Sequence, residues 1–188
     1  MAIKRILHYG EPSLREPSKE VHKVSKKISD LIRDLFDTMY AQNGVGLAAP
    51  QIGVNLRVFV IDASTKDEPL EPMVFINPKI IKKSGAIKSN EGCLSFPEAY
   101  TDVVRYENVM VKAINEHGKT FVMEVTGGNL LARAIQHEND HLDGVLFIDH
   151  CINRFETDEV LKKYNLPTVE PEKLIDETEL QEKITNND

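Results

Sequence analysis

Five consecutive residues, His137-Glu138-Asn139-Asp140-His141, carry the densest chemistry in this chain. Histidines four apart are separated by just over one helical turn. On a helix both imidazoles therefore leave the same face and can reach one ion. Glu138 follows the first of them, which sets a carboxylate beside the open coordination position of such an ion. There it can take a proton from water. The same helical face carries Leu130 and Ala134. Two histidines and a glutamate turned into an apolar face without a shared partner would be costly, which favours a metal over idle histidines. A third ligand is then needed. Downstream, Asp149, His150 and Glu156 are available, at no diagnostic spacing. Upstream, Cys93 stands in Glu91-Gly92-Cys93-Leu94-Ser95-Phe96-Pro97, where glycine permits close backbone approach and proline stiffens the exit. A metal would deprotonate such a thiol outright. By itself this cysteine does not decide among the candidates. A further segment, Gly44-Val45-Gly46-Leu47-Ala48-Ala49-Pro50-Gln51, is glycine-rich but is followed by no lysine. That argues against a phosphate loop and for a tight connection.

The elements that must position these groups can be read from periodicity. Ile28, Leu31, Ile32, Leu35 and Met39 fall on one helical face, with Ser25 as a candidate cap and Asn43-Gly44 as a stop. Residues 56–61 and 73–76 are rich in Val, Ile and Phe, and read as strands. Residues 108–114 and 120–125 alternate on either side of the turn Asn115-Glu116-His117-Gly118, which predicts a hairpin. A second helix starts after Gly127-Gly128, runs to about His141 and ends before Gly144. Strands grouped between two helices indicate an α+β class. The expected architecture is mostly antiparallel sheets around a central metal-binding helix, with an N-terminal helix and a C-terminal helical tail. In that tail Thr157-Asp158-Glu159 could open a short helix that Asn165 and Pro167 close. Pro171-Glu172 could open another carrying Leu174, Leu180 and Ile184, with residues 185–188 frayed.

Composition narrows the function classes. The chain has 188 residues, 41% hydrophobic and 28% charged, enough for one folded domain with an appendage. Two units are expected: a folded domain over 1–154 and an acidic, partly helical tail over 155–188. The net charge of −7 argues against direct nucleic-acid binding. Residues 155–188 hold ten acids and four lysines, so most of the excess acidity lies in the tail. No apolar run is long enough to span a membrane, and no secretory signal opens the chain. A cytoplasmic protein without membrane contact is expected. Cys93 and Cys151 do not make a disulfide scaffold.

Taken together and in this order, three segments resemble the peptide deformylase family. Its signatures are G-x-G-x-A-A-x-Q, E-G-C-L-S and Q-H-E-x-D-H-L-x-G. They stand here at Gly44 to Gln51, Glu91 to Ser95 and Gln136 to Gly144, and the resemblance covers residues 1 to about 154. It implies that Cys93, His137 and His141 bind the ion, with water as fourth ligand. Glu138 is then general base and afterwards general acid. Gln51 and the backbone N–H of Leu94 stabilise the oxyanion. Gly44, Val45 and Gly46 pair with an extended substrate, and Leu130 and Ala134 line the pocket for its methionine side chain. Glu91 and Arg105 are expected to pair. The implied cofactor is one divalent metal, Fe(2+) in the cell, with Zn(2+), Ni(2+) or Co(2+) as alternatives. The implied partners are N-formylmethionyl nascent peptides, and the implied products are formate and a free amino-terminal methionine.

Some features depart from the pattern. Tyr100 replaces an arginine that holds peptide in one branch of the family. Arg133 takes a place often given to an aliphatic pocket residue; it could lie at the pocket rim and alter side-chain preference, but reaching solvent by snorkelling is the favoured expectation. The tail is acidic where some relatives carry a basic helix that docks on the ribosome, so any transient ribosome contact finds no support in it. Two rival readings remain. An H-E-x-x-H metallopeptidase would take its third ligand downstream. A non-catalytic metal-binding module on the same scaffold would have little use for the intact Glu138.

Overall fold

The computed structural model describes residues 3–64, 69, 71–176 and 178. Its helices are α1 (Lys26–Ala41), α2 (Leu130–Leu142) and α3 (Arg154–Lys163). Strands β1 (Gly46–Ala48), β2 (Val58–Ile61), β3 (Met73–Ser84), β6 (Asn108–Ile114) and β7 (Thr120–Val125) form an antiparallel sheet in the order β1-β2-β3-β6-β7. Strands β4 (Ile87–Cys93) and β5 (Phe96–Arg105) form a separate two-stranded antiparallel sheet.

Strand alternation explains the layering. On one face of the five-stranded sheet, Leu47, Val58, Val60, Val74 and Ile76 pack against Ile28, Ile32, Leu35 and Met39 of α1. On the other, Ala48, Phe59, Ile61, Phe75 and Val111 pack against Ala132, Ile135 and Leu142 of α2. All four residues of β2 are buried, as a central strand covered on both faces requires. A third cluster joins Phe96, Ala99 and Val103 of β5 to Phe147 and Ile148, and to Leu161 and Val169 at the start of the tail. Helix α2 thus lies between the large sheet and the β4–β5 hairpin, and the α+β expectation is met.

Local signals set the ends of α2. Asn129 caps its start, its side-chain oxygen accepting from Ala132 N at 2.9 Å. Gly144 ends it with φ of +71°, the left-handed conformation that glycine adopts without strain. Helix α1 follows the sequence reading, except that the Ser25 hydroxyl makes no capping bond. Three other expectations are corrected. β3 runs on to Ser84, because β6 continues alongside it to Asn108. α3 opens at Arg154 rather than Thr157, because Asn153 caps it by accepting from Phe155 N and Glu156 N. Pro171 starts only a single turn, Pro171–Lys173. Leu180, Ile184 and residues 185–188 lie outside the described residues.

Candidate metal centre and its cleft

The site is a ladder between one strand and one helix. Along β4, Ser89, Glu91 and Cys93 alternate onto the side facing α2. Along α2, Arg133, His137 and His141 recur every four residues. Two strand residues advance about 6.8 Å and four helical residues about 6 Å, so successive rungs stay nearly level. Cys93 Sγ lies 3.3 Å from His141 Nε2. Glu91 Oε2 lies 3.0 Å from His137 Nδ1. Ser89 Oγ accepts from Arg133 Nη1 at 2.9 Å. Gly92 holds the strand close, since a Cβ there would strike the Tyr100 ring on β5.

The donor set fits a divalent metal. Ligand atoms of Cys93, His137 and His141 all lie within 4.8 Å of one another. Tetrahedral coordination by sulfur and nitrogen at ordinary bond lengths places the two atoms roughly 3.5 Å apart, close to what Cys93 and His141 present. Glu91 occupies His137 Nδ1, which leaves Nε2 for the ion and fixes the ring, as a carboxylate behind a ligating histidine does. Burial and neighbouring His137 hold His141 well below the usual imidazole range, whereas His137 stands well above it, held there against burial by Cys93 and Glu91.

Glu138 and Gln51 flank this cluster. Glu138 is buried, and burial pushes its carboxyl up to about 7 against the opposing pull of His137. Its Oε2 has no hydrogen-bond partner among the described residues. Its Oε1 lies against Gly46, where a Cβ would approach to 2.5 Å, so only glycine lets β1 pass this carboxylate. Gln51 is oriented by its own turn. Ala48 N donates to Oε1 at 2.9 Å, which turns Nε2 toward Cys93 Sγ at 3.4 Å and Ser95 Oγ at 3.2 Å. A cleft of about 840 Å³ opens over these groups, lined also by Gly44, Val45, Leu94, Leu130 and Ala134. β1 forms its edge, pairing only with β2 among the described residues.

A buried ion network backs the ladder. Arg105, 2% exposed, donates from Nε and Nη2 to the two Glu91 oxygens, each at 2.9 Å, and from Nη1 to Asp140. Asp140 also lies 3.1 Å from His150 Nε2. Burial raises both carboxyls, yet Arg105 with His137 takes Glu91 far below the usual range, and Arg105 with His150 brings Asp140 to about 2. Removing the guanidinium strands buried charge. Arg105→Met is therefore expected to cost about 3 kcal/mol and to lower Tm by roughly 10 °C. Circular dichroism melting checks this, and a fall under 2 °C contradicts it.

The expected groups converge, and the open choice of third ligand narrows. Asp149 accepts the fork of Arg15, His150 serves Asp140, and Glu156 is exposed on α3, so none of them joins the cluster. The Glu91–Arg105 pair is present. Arg133 departs from expectation. It is only partly exposed and folds onto Ser89 in the cleft wall instead of extending into solvent. Tyr100 is 60% exposed at the cleft rim. The sequence reading missed Ser89, Ser95 and the structural role of Asp140. The motif contains Asp140, but nothing local marks Arg105 as its partner.

A thiol from a hairpin and two imidazoles from one helix form a group that could hold a metal ion, with a buried carboxylate beside it and a cleft above. The family model "Polypeptide deformylase" matches residues 3–157. A peptide deformylase of Acidobacterium capsulatum is 46% identical over 163 residues, covering 87% of this chain and 94% of the relative. One from Pseudothermotoga lettingae is 51% identical over 148 residues, covering 78% of this chain and 82% of the relative. The crystal structure of a Synechococcus elongatus peptide deformylase in complex with actinonin superposes with a TM-score of 0.84 at 40% identity, covering 92% of this chain and 91% of the other. This chain belongs to the polypeptide deformylase family, metal-dependent enzymes that remove the N-formyl group from nascent polypeptides.

Proposed function

We propose that this cleft hydrolyses the formamide of amino-terminal N-formylmethionine, releasing formate and a peptide with a free amino terminus. The observation that carries the assignment of roles is the meeting of Cys93, His137 and His141, with Cys93 and His137 lining one cleft together with Glu138 and Gln51. Cys93, His137 and His141 would hold one divalent ion, which when bound would supply a Lewis acid and bring the pKa of water toward about 7. Iron(II) is the proposed working metal, as the resemblance to the deformylase family implies. Zinc, nickel and cobalt suit the same donors, so availability selects among them.

The chain's own groups do the rest. The substrate lies extended along residues 44–46, adding a strand to the edge that β1 leaves open. Leu130 and Ala134 receive its methionine side chain. Glu138 takes a proton from the attacking water as the water oxygen bonds to the formyl carbon. The carbonyl electrons move onto oxygen, where Gln51 Nε2 and the Leu94 N–H donate to the developing charge. The C–N bond then breaks, its electrons stay on nitrogen, and Glu138 delivers the proton that makes the amine a leaving group. Because burial has already raised the Glu138 carboxyl toward neutrality, it is suited to take and return that proton.

Residues 1–154 are proposed as the catalytic unit, supported by the extent of the family match. Residues 155–188 are proposed as its acidic appendage, whose first part packs through Leu161 and Val169. No helix of the described residues is long and apolar enough to cross a membrane. We assign the enzyme to the cytoplasm, acting on nascent chains without binding nucleic acid or membrane and without a ribosome contact through its tail. The test is an anaerobic assay of formyl-Met-Ala-Ser, with casein as the competing substrate. Release of formate with intact casein is expected. Casein cleavage without formate release overturns the assignment in favour of a peptidase.

A further inference from the structure

Arg133 stands apart from the other arginines. Of the seven in the chain, six have a carboxylate within ion-pair distance: Arg5, Arg15, Arg33, Arg57, Arg105 and Arg154. Arg133 has none among the described residues. It lines the cleft one helical turn before His137, beside Leu130 and Ala134. Its Nη1 donates to Ser89 Oγ, and its Nε is shut away from water with no acceptor among the described residues. An unneutralised guanidinium in a pocket wall favours an acceptor oxygen, because hydrogen bonds made by a charged donor are the stronger ones.

We infer that the side-chain pocket accepts an oxygen-bearing side chain of methionine's length, with methionine sulfoxide as the ligand class, rather than an apolar chain alone. This rests on the deformylase reading of the same cleft. The reduced thioether is at best a weak acceptor, so it gains little from Arg133. Oxidation adds one oxygen with a strong dipole to an otherwise unchanged chain, and makes it polar. A wholly aliphatic wall would have to strip water from that oxygen without replacing its hydrogen bonds. Here Arg133, held in place by Ser89, supplies a donor. The enzyme would thus still process nascent chains whose first residue has been oxidised.

The test compares kcat/KM of the full-length metal-loaded chain on Ala-Ser peptides headed by formyl-Met, formyl-norleucine or formyl-methionine sulfoxide. For the wild type, the sulfoxide is expected within about tenfold of methionine. In Arg133→Leu, the sulfoxide-to-norleucine ratio is expected to fall at least tenfold, and Arg133→Lys to recover part of it. A ratio within one preparation does not depend on how much of the variant folds. A ratio that moves less than twofold in Arg133→Leu, with formyl-Met still hydrolysed, overturns the pocket assignment alone. Failure of the wild type on all three peptides overturns the deformylase reading, and this inference with it.

Discussion

Replacing Glu138 by Gln lowers kcat for a formylmethionyl peptide by about a thousandfold and leaves bound metal unchanged. A positioned acid–base group contributes on the order of 10²- to 10⁴-fold, and a thousandfold corresponds to about 4 kcal/mol of barrier. Glutamine has the same shape, so it still fits against Gly46 and preserves the packing there. What it lacks is a site that can accept and return a proton. Position and chemistry are thereby separated: the variant keeps the first and loses the second. Kinetics with metal analysis on the same sample measure the effect. A loss under tenfold means that the proton travels by another route, and the role assigned to Glu138 fails.

Cys93→Ala removes one of the three proposed protein ligands and is expected to abolish both tight metal binding and formate release. Alanine keeps the strand and the bulge between β4 and β5. Only the sulfur is lost, together with the contacts that Gln51 and His141 make with it. Chelator treatment of the wild type should reproduce the loss, and added metal should reverse it there but not in the variant. A variant that retains one equivalent of metal and more than a tenth of the wild-type rate shows that sulfur is not a ligand. Casein cleavage by that variant would point to a peptidase with a different third ligand.

How much of this was legible in advance follows from how local each signal is. Helix α1 was readable because a 3.6-residue period runs uninterrupted over sixteen residues. The β6–β7 hairpin was readable from alternation and its turn. The β4–β5 hairpin was not. Ile87–Cys93 reads as polar, because the side of it that faces α2 carries Ser89, Glu91 and Cys93 in place of aliphatic residues. Pro97 also argues against a strand in β5, and the bulge beside it absorbs the irregularity. The three residues of β1 sit in a glycine-rich stretch and become a strand only by pairing with β2. The missed elements are therefore those whose form depends on a distant partner.

The site divides the same way. His137, Glu138 and His141 share one turn of helix, so spacing alone brought them together. Cys93 lies more than forty residues upstream, and only the family resemblance selected it over Asp149 and His150. Arg133 shows the opposite failure. A lone arginine on a helix was expected to seek water, and it found Ser89 across the cleft, a partner that no spacing rule would propose.

The proposed chemistry depends most on sulfur at the metal. X-ray absorption on the wild type and Cys93→Ser, each loaded anaerobically with one metal, reads the ligand atoms directly. The expected result is one sulfur at about 2.3 Å with two imidazole nitrogens in the wild type, and loss of the sulfur shell in the variant. A wild-type spectrum with nitrogen and oxygen ligands only would contradict it.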